Sequence, residues 1–195
     1  MENELVLKKV KESLKVKEKF FTKKNVSRLV LASETIAEAF KAGGKLMACG
    51  NGGSAADCQH TVAEFVNRFE IERPPLPAVA LTTDTSVITS IGNDYDFDQV
   101  FSKQVKALGK EGDVLLAIST SGTSPNVVKA VECAVDMGIK TVALTGRDGG
   151  VLAGKADIVL NVDSSSTPRI QEVHITVCHL ICELVDHLLF KKVSA

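Results

Sequence analysis

The sequence has no tryptophan and a single tyrosine in 195 residues, although phenylalanine occurs eight times. A platform that stacks the bases of a single-stranded nucleic acid needs exposed aromatic rings, so composition argues against that function. A charge surplus is missing too: 23 Lys and Arg against 24 Asp and Glu leave a formal net charge of −1. That balance gives no broad electrostatic footprint for nucleic acid or an anionic membrane. No window of about 18 apolar residues is present, so no membrane-spanning helix is expected. The opening Met1-Glu2-Asn3-Glu4 is acidic and lacks the apolar stretch of a signal peptide. The five cysteines, Cys49, Cys58, Cys133, Cys178 and Cys182, are odd in number and form no CxxC pair. They are expected to be reduced core thiols of a cytoplasmic protein. Internal repeats and low-complexity linkers are also missing, and the length suits one domain spanning residues 1–195.

What is present follows two rhythms. From Glu4 to about Lys41, Leu5, Val10, Leu14, Phe20, Phe21, Leu29, Ile36 and Phe40 recur at helical spacings with Lys and Glu between them. Asn25 has the side chain of an N-cap and divides this region into two helices. Helices placed ahead of the first strand either pack on the parent domain or supply an oligomer interface, and residues 1–42 suit both. After Gly43-Gly44, short apolar runs alternate with helical stretches. Strands are expected at 45–49, 78–81, 114–118, 141–144 and 158–160. Helices are expected at 54–69, 98–108, 124–137 and 168–191. This pattern predicts an α/β fold, a doubly wound five-stranded parallel sheet flanked by helices.

In such sheets ligands bind beyond the carboxyl ends of the strands. Two loops there are rich in small polar residues: Gly50-Asn51-Gly52-Gly53-Ser54 and Ser119-Thr120-Ser121-Gly122-Thr123-Ser124. The second carries five hydroxyls around a glycine and runs into a helix with Pro125 at its first position. Ser124 is expected to cap that helix, whose exposed amides and dipole would favour a phosphate. With no lysine in it, the loop is not the P-loop of nucleotide hydrolases. The first loop departs from G-x-G-x-x-G at its last position, Ala55, and no carboxylate closes the second strand, where Leu81 is followed by Thr82-Thr83. A nicotinamide cofactor is therefore not expected.

The helix after the first loop carries His60, Glu64 and Arg68 at i, i+4 and i+8, with Ala56, Val62, Ala63 and Val66 on its other side. The final helix carries Gln171, His174, His179 and Glu183 among Ile170, Ile175, Val177, Leu180 and Ile181. Each polar residue also has a plain structural reading: a Glu64–Arg68 surface ion pair, a solvated His60, a satisfied core histidine at His179. If the two helices meet, His60, Glu64, Gln171 and His179 form a set of N and O donors suited to one metal ion.

Taken together, these motifs resemble the phosphoheptose isomerases of the sugar-isomerase (SIS) fold. The resemblance rests on the glycine loop, His60-x3-Glu64-x3-Arg68, Gly92-Asn93-Asp94, the serine loop, Leu144-Thr145-Gly146, and Arg169-Ile170-Gln171-Glu172-x-His174 with His179 beyond. It implies a flavodoxin-like SIS domain that interconverts sedoheptulose 7-phosphate and glycero-manno-heptose 7-phosphate. In that reading Ser54, Ser119, Thr120, Ser121 and Ser124 hold the phosphate, Asn51, Arg68 and Asp94 contact the sugar or organise the loops around it, and Gly52, Gly53, Asn93 and Gln171 also belong to the substrate site. Glu64 and His179 are the acid–base pair. His60, Glu64, Gln171 and His179 match a zinc site found in some members, with no nucleotide cofactor. The resemblance further implies a homotetramer whose active sites borrow residues from neighbouring subunits. The segment Ser164-Ser165-Ser166-Thr167-Pro168 varies in the family and carries no assigned role. A rival within the fold is a non-catalytic protein that binds a sugar phosphate or a replication initiator; the presence of His60, Glu64 and His179 favours the enzyme.

Overall fold

A computed structural model describes residues 1–190. Two helices, α1 (Glu2–Phe20) and α2 (Lys23–Lys41), precede β1 (Leu46–Gly50), α3 (Gly53–Val66) and β2 (Ala78–Ala80). There follow α4 (Thr85–Asp94), a 3-10 turn (Phe97–Gln99), α5 (Ser102–Leu108), β3 (Val114–Ser119) and α6 (Pro125–Asp136). The chain ends through β4 (Lys140–Gly146), a second 3-10 turn (Val151–Gly154), β5 (Ile158–Val162) and α7 (Thr167–Phe190). All strand pairs are parallel and the order is β2-β1-β3-β4-β5.

Side chains alternate faces along a strand, and the two cores divide accordingly. Leu46, Ala48, Leu116, Ile118, Val142, Leu144 and Leu160 face α2, α3 and α7. Met47, Cys49, Leu115, Ala117 and Ala143 face α5 and α6. All five cysteines are free and buried.

Several boundaries differ from the sequence reading. Thr22, not Asn25, caps α2: its Oγ1 accepts the Asn25 N–H at 3.3 Å. Asn25 sits inside the helix and sends its amide back to the Phe20 carbonyl at 2.8 Å. The expected helix at 98–108 is split into a 3-10 turn and α5, and α4 was missed because Thr and Ser fill its exposed side and none of its residues is buried. The buried stripe of α3 is Ser54, Asp57, Cys58, Thr61 and Phe65; Ala56, Ala63 and Val66 are exposed. The expected end of the last helix at Lys191 lies outside the described residues. Contrary to the expectation of no spanning segment, α7 is long and apolar enough by length and composition to cross a membrane. Here that apolarity serves the core, because Ile170, Val173, Val177, Ile181 and Val185 are buried against the sheet side shared with α2 and α3.

One buried cation ties α3 to α7. Arg73 lies at 7% exposure; its Nε pairs with Asp186 Oδ1 at 2.8 Å, and its remaining nitrogens donate to the carbonyls of Glu64 (2.7 Å), Phe65 (2.6 Å), Asn67 (3.2 Å) and Pro74 (3.2 Å). These carbonyls include the ones left unpaired where α3 ends, so a single guanidinium caps one helix and clamps it to another. Removing it strands the buried Asp186 carboxylate and takes the side-chain donor from the Glu64 carbonyl, whereas the Phe65 carbonyl keeps the Leu76 N–H. Arg73→Met is expected to lower the unfolding free energy by about 3–5 kcal/mol in a urea titration. A loss below about 1 kcal/mol, the size typical of an exposed pair, would contradict the clamp.

Candidate active site

The order β2-β1-β3-β4-β5 reverses between β1 and β3, and such a reversal opens a crevice at the carboxyl ends of the two strands. The glycine loop leaves β1 there and the serine loop leaves β3. Asn51 and Asn126 join them by a reciprocal amide pair, 2.8 and 2.9 Å, so both ends of the Asn51 amide serve the loop architecture. Gly52 takes the N-cap position of α3, and Ser54 is buried in its first turn.

The serine loop is folded on its own hydroxyls. Ser119 Oγ lies 2.9 Å from Ser124 Oγ and 3.4 Å from Ser121 Oγ. Ser121 Oγ accepts from the Thr123 amide at 3.2 Å and from its hydroxyl at 3.0 Å. Ser124 therefore occupies the N-cap position by backbone alone; its hydroxyl turns into the loop instead of capping α6, unlike the sequence expectation. Gly122 has φ +67°, and a Cβ there would collide with the backbone of Gly149. Leu152 N–H donates to its carbonyl at 3.0 Å. Thr120 also abuts the β4 loop, its carbonyl facing Gly146. The turn after β4 thus backs the serine loop along its length.

The second pole is the seam between α3 and α7, where the helices do meet. His60 Nε2 lies 2.9 Å from His179 Nε2 and 3.5 Å from Glu64 Oε1. The His179 ring meets the His60 ring edge-on, at a centroid distance of 5.1 Å, and stacks on Phe69 at 5.8 Å with an interplanar angle of 29°. Gln171 lies two turns earlier on α7, against the first turn of α3: its Nε2 donates to Asp57 Oδ2 at 3.3 Å. Asp57 is buried, which raises its carboxyl above the usual range, while the Gln171 hydrogen bond and the nearby His60 and His179 act the other way. A cleft of about 290 Å³ opens between Asp57, Pro168, Gln171, Glu172 and Ile175. A roomier cavity of about 440 Å³ under α4, lined by Val79, Asp84, Val87, Ile91, Lys103 and Leu108, includes none of the seam residues. Among the described residues, no three His, Cys, Asp or Glu side chains form a ready metal cage. The donors here are two imidazoles, a carboxylate and an amide along two helices.

Three expected site residues stand apart within one chain. Arg68 leaves the His60–Glu64 stripe because α3 ends at Val66; it pairs with Glu72 at 3.7 Å and not with Glu64. Asn93 and Asp94 hydrogen-bond each other at 2.8 Å on the exposed end of α4, whose main neighbour is the 3-10 turn. The Arg-Ile-Gln-Glu motif splits by face. Gln171 meets α3, whereas Arg169 and Glu172 pair with each other at 3.0 Å and hold α1 through the Lys9 carbonyl (3.0 Å) and Ser13 Oγ (2.5 Å).

The SIS domain model matches residues 10–146. The phosphoheptose isomerase of Nitratidesulfovibrio vulgaris strain Hildenborough is 56% identical over 191 residues, covering 98% of this chain and 91% of the relative. The chain belongs to the phosphoheptose isomerase family. It is a phosphosugar isomerase. The solved structure of phosphoheptose isomerase GmhA from Neisseria gonorrhoeae superposes with a TM-score of 0.90 at 48% identity, covering 95% of this chain and 99% of that one. A phosphoheptose isomerase structure from Francisella tularensis gives 0.90 at 40% identity, with 96% and 99% covered. The family's fold is therefore the observed one.

Sequence reasoning missed Asp57, Phe69, Arg73 and Asn126. Asp57 had a readable signal, a carboxylate three residues before His60 on the same helix face; Phe69 and Asn126 gave none before the loops were placed. The core histidine proves to be His174, not His179; only one of its two ring nitrogens is paired, and among the described residues its buried Nδ1 has no partner. Its Nε2 lies 2.9 Å from the Thr145 carbonyl, and burial lowers its pKa from 6.5 to about 4, the carbonyl only partly offsetting this. The folded state therefore resists a proton that the unfolded chain accepts. The resulting stabilisation is full above pH 6.5 and is lost as pH falls from 6.5 toward 4, amounting at most to about 3 kcal/mol. Unfolding free energies of His174→Gln and the parent, measured between pH 7.5 and 4.5, are expected to converge as pH falls; parallel curves would contradict the assignment.

Proposed function

We propose that the enzyme interconverts sedoheptulose 7-phosphate and D-glycero-D-manno-heptose 7-phosphate through an enediol, supplying heptose precursors for lipopolysaccharide or other surface glycans. The observation that carries this reading is the convergence of Glu64, His60 and His179 beside the loop crevice: a carboxylate and imidazoles within hydrogen-bond reach of one another. Aldose–ketose isomerisation shifts a proton between adjacent carbons and needs proton traffic at the neighbouring oxygens. Ser54, Ser119, Thr120, Ser121 and Ser124 hold the phosphate, fixing the far end of the substrate. The amides at the α6 N-terminus favour the dianion. Glu64 moves the proton between C1 and C2 while His179 serves the oxygens. Phe69 shields one face of His179 from water.

The donor set also suits a zinc ion. Two imidazole nitrogens bound to one tetrahedral zinc at about 2.0–2.1 Å lie about 3.3 Å apart; those of His60 and His179 are 2.9 Å apart, so the rings would separate by a few tenths of an ångström to take the ion. His60, His179, Glu64 and Gln171 would hold it. When bound, the ion would polarise the substrate carbonyl and stabilise negative charge on its oxygen.

The homotetramer is part of the same reading. Leu5, Val6, Leu7, Val10 and Leu14 on α1 and Val30 and Leu31 on α2 are exposed, an apolar surface suited to copies of the chain. Arg68, Asn93 and Asp94, apart from the site within one chain, are the groups a neighbouring subunit would contribute. The small-molecule substrate is the only other partner proposed; the near-zero net charge and free thiols accord with a cytoplasmic enzyme that engages neither nucleic acid nor membrane.

Glu64→Gln and His179→Ala are each expected to lower kcat on sedoheptulose 7-phosphate by about 10²–10⁴-fold, with the circular dichroism spectrum unchanged. Near-parental turnover in either variant would remove that residue from the acid–base pair. Activity that survives exhaustive chelation undiminished would remove the metal.

A further inference from the structure

Gln171 is held from two sides by the start of α3. A Cβ added at Gly53 would overlap its side-chain amide, reaching Oε1 at 2.6 Å and Cδ at 2.8 Å and Nε2 closer still. The amide therefore points its N–O edge at the glycine, into space that a side chain at that position would fill. One helical turn later, Asp57 Oδ2 takes the Nε2 hydrogen at 3.3 Å. The two ends of an amide have opposite hydrogen-bonding sense, whereas a carboxylate only accepts. With its NH2 group committed to Asp57, Gln171 has one atom left that can ligate a cation, the carbonyl oxygen.

We propose that Gly53 and Asp57 are positioning residues that fix both the place and the flip state of the Gln171 amide, so that Oε1 is presented as a ligand. This rests on the zinc reading above. Gly53 supplies the room and Asp57 supplies the direction. Neither residue touches the metal. Together they act as the outer shell that orients metal ligands elsewhere through hydrogen bonds. The glycine's φ lies outside the left-handed region, so alanine is compatible with the backbone, and what yields is the far end of the flexible Gln171 side chain. Gly53→Ala should therefore misplace the ligand without unfolding the protein. Asp57→Asn lets the amide flip, because asparagine both donates and accepts. The paired change Asp57→Asn with Gln171→Glu restores the order: the carboxylate introduced on α7 accepts from the NH2 group introduced on α3 and offers its second oxygen to the cation.

The test titrates the metal-stripped full chain with zinc against a chromophoric chelator, with thermal unfolding recorded on each variant. Asp57→Asn and Gly53→Ala are each expected to weaken zinc binding by about 10–100-fold, and the paired variant to bind within about threefold of the parent through coupling of the two sites. Gly53→Ala alters no charge and so separates position from electrostatics. His179→Ala runs alongside as the control on the zinc site itself. Parental zinc affinity in both single variants, with His179→Ala weakened, would overturn the positioning role alone. A parent chain that takes up no zinc would overturn the metal reading and this inference with it.

Discussion

The active-site seam depends on the Arg73 guanidinium. Helix α3 carries His60 and Glu64 and α7 carries Gln171 and His179, and nothing covalent relates the two. Arg73 takes the last carbonyls of α3 and the carboxylate of Asp186, seven residues beyond His179 and thus on nearly the same side of α7. Burial makes this arrangement costly to break and leaves no cheap alternative partner. The seam is thereby defined at one end by an ion pair and at the other by the Gln171 contacts with Gly53 and Asp57, with the two imidazoles between.

A division of labour follows. The serine loop is a stiff object: its hydroxyls bond one another, Gly122 packs against backbone at Gly149, and Asn126 locks it to Asn51. In the proposed reaction it offers an anion a fixed cradle and does no chemistry. In the same proposal the seam contributes the groups that gain and lose protons. Separating the two lets a single anchored phosphate set the register of a flexible sugar chain along α3 and α7, so that positioning is done before reaction begins.

Much of this was legible in the sequence because it followed local rules. Strand–helix alternation from Lys45 onward fixed the class and the number of strands, and the two polar loops at strand ends pointed to the crevice. Boundaries failed where a competing local interaction won, as where Thr22 caps α2 ahead of Asn25, or where the signal was short, as in α4, whose apolar stripe is only Val87, Ile88 and Ile91 and has no fully buried member. The end of α3 was invisible because its cap comes from Arg73, a residue beyond the helix, and that early stop moved Arg68 off the expected stripe. His174 and His179 could not be told apart by composition, since both lie among apolar residues of α7. Only the β4 carbonyl at Thr145 decides which one is consumed by the core. Asp57 and Phe69 act through residues distant in sequence, and such roles appear only once helices are packed.

The tight contact between Gly122 and the Gly149-Gly150 backbone bears on how this scaffold could acquire other substrates. A cradle closed by backbone against backbone admits no side chain, so gradual substitution there meets a steric wall at the first step. The seam, lined by side chains with a cleft beside Pro168 and Ile175, has room to vary. Divergence toward other sugars within this architecture is therefore channelled: the phosphate end stays frozen while the carbohydrate end drifts, and descendants keep one handle while changing what it is attached to.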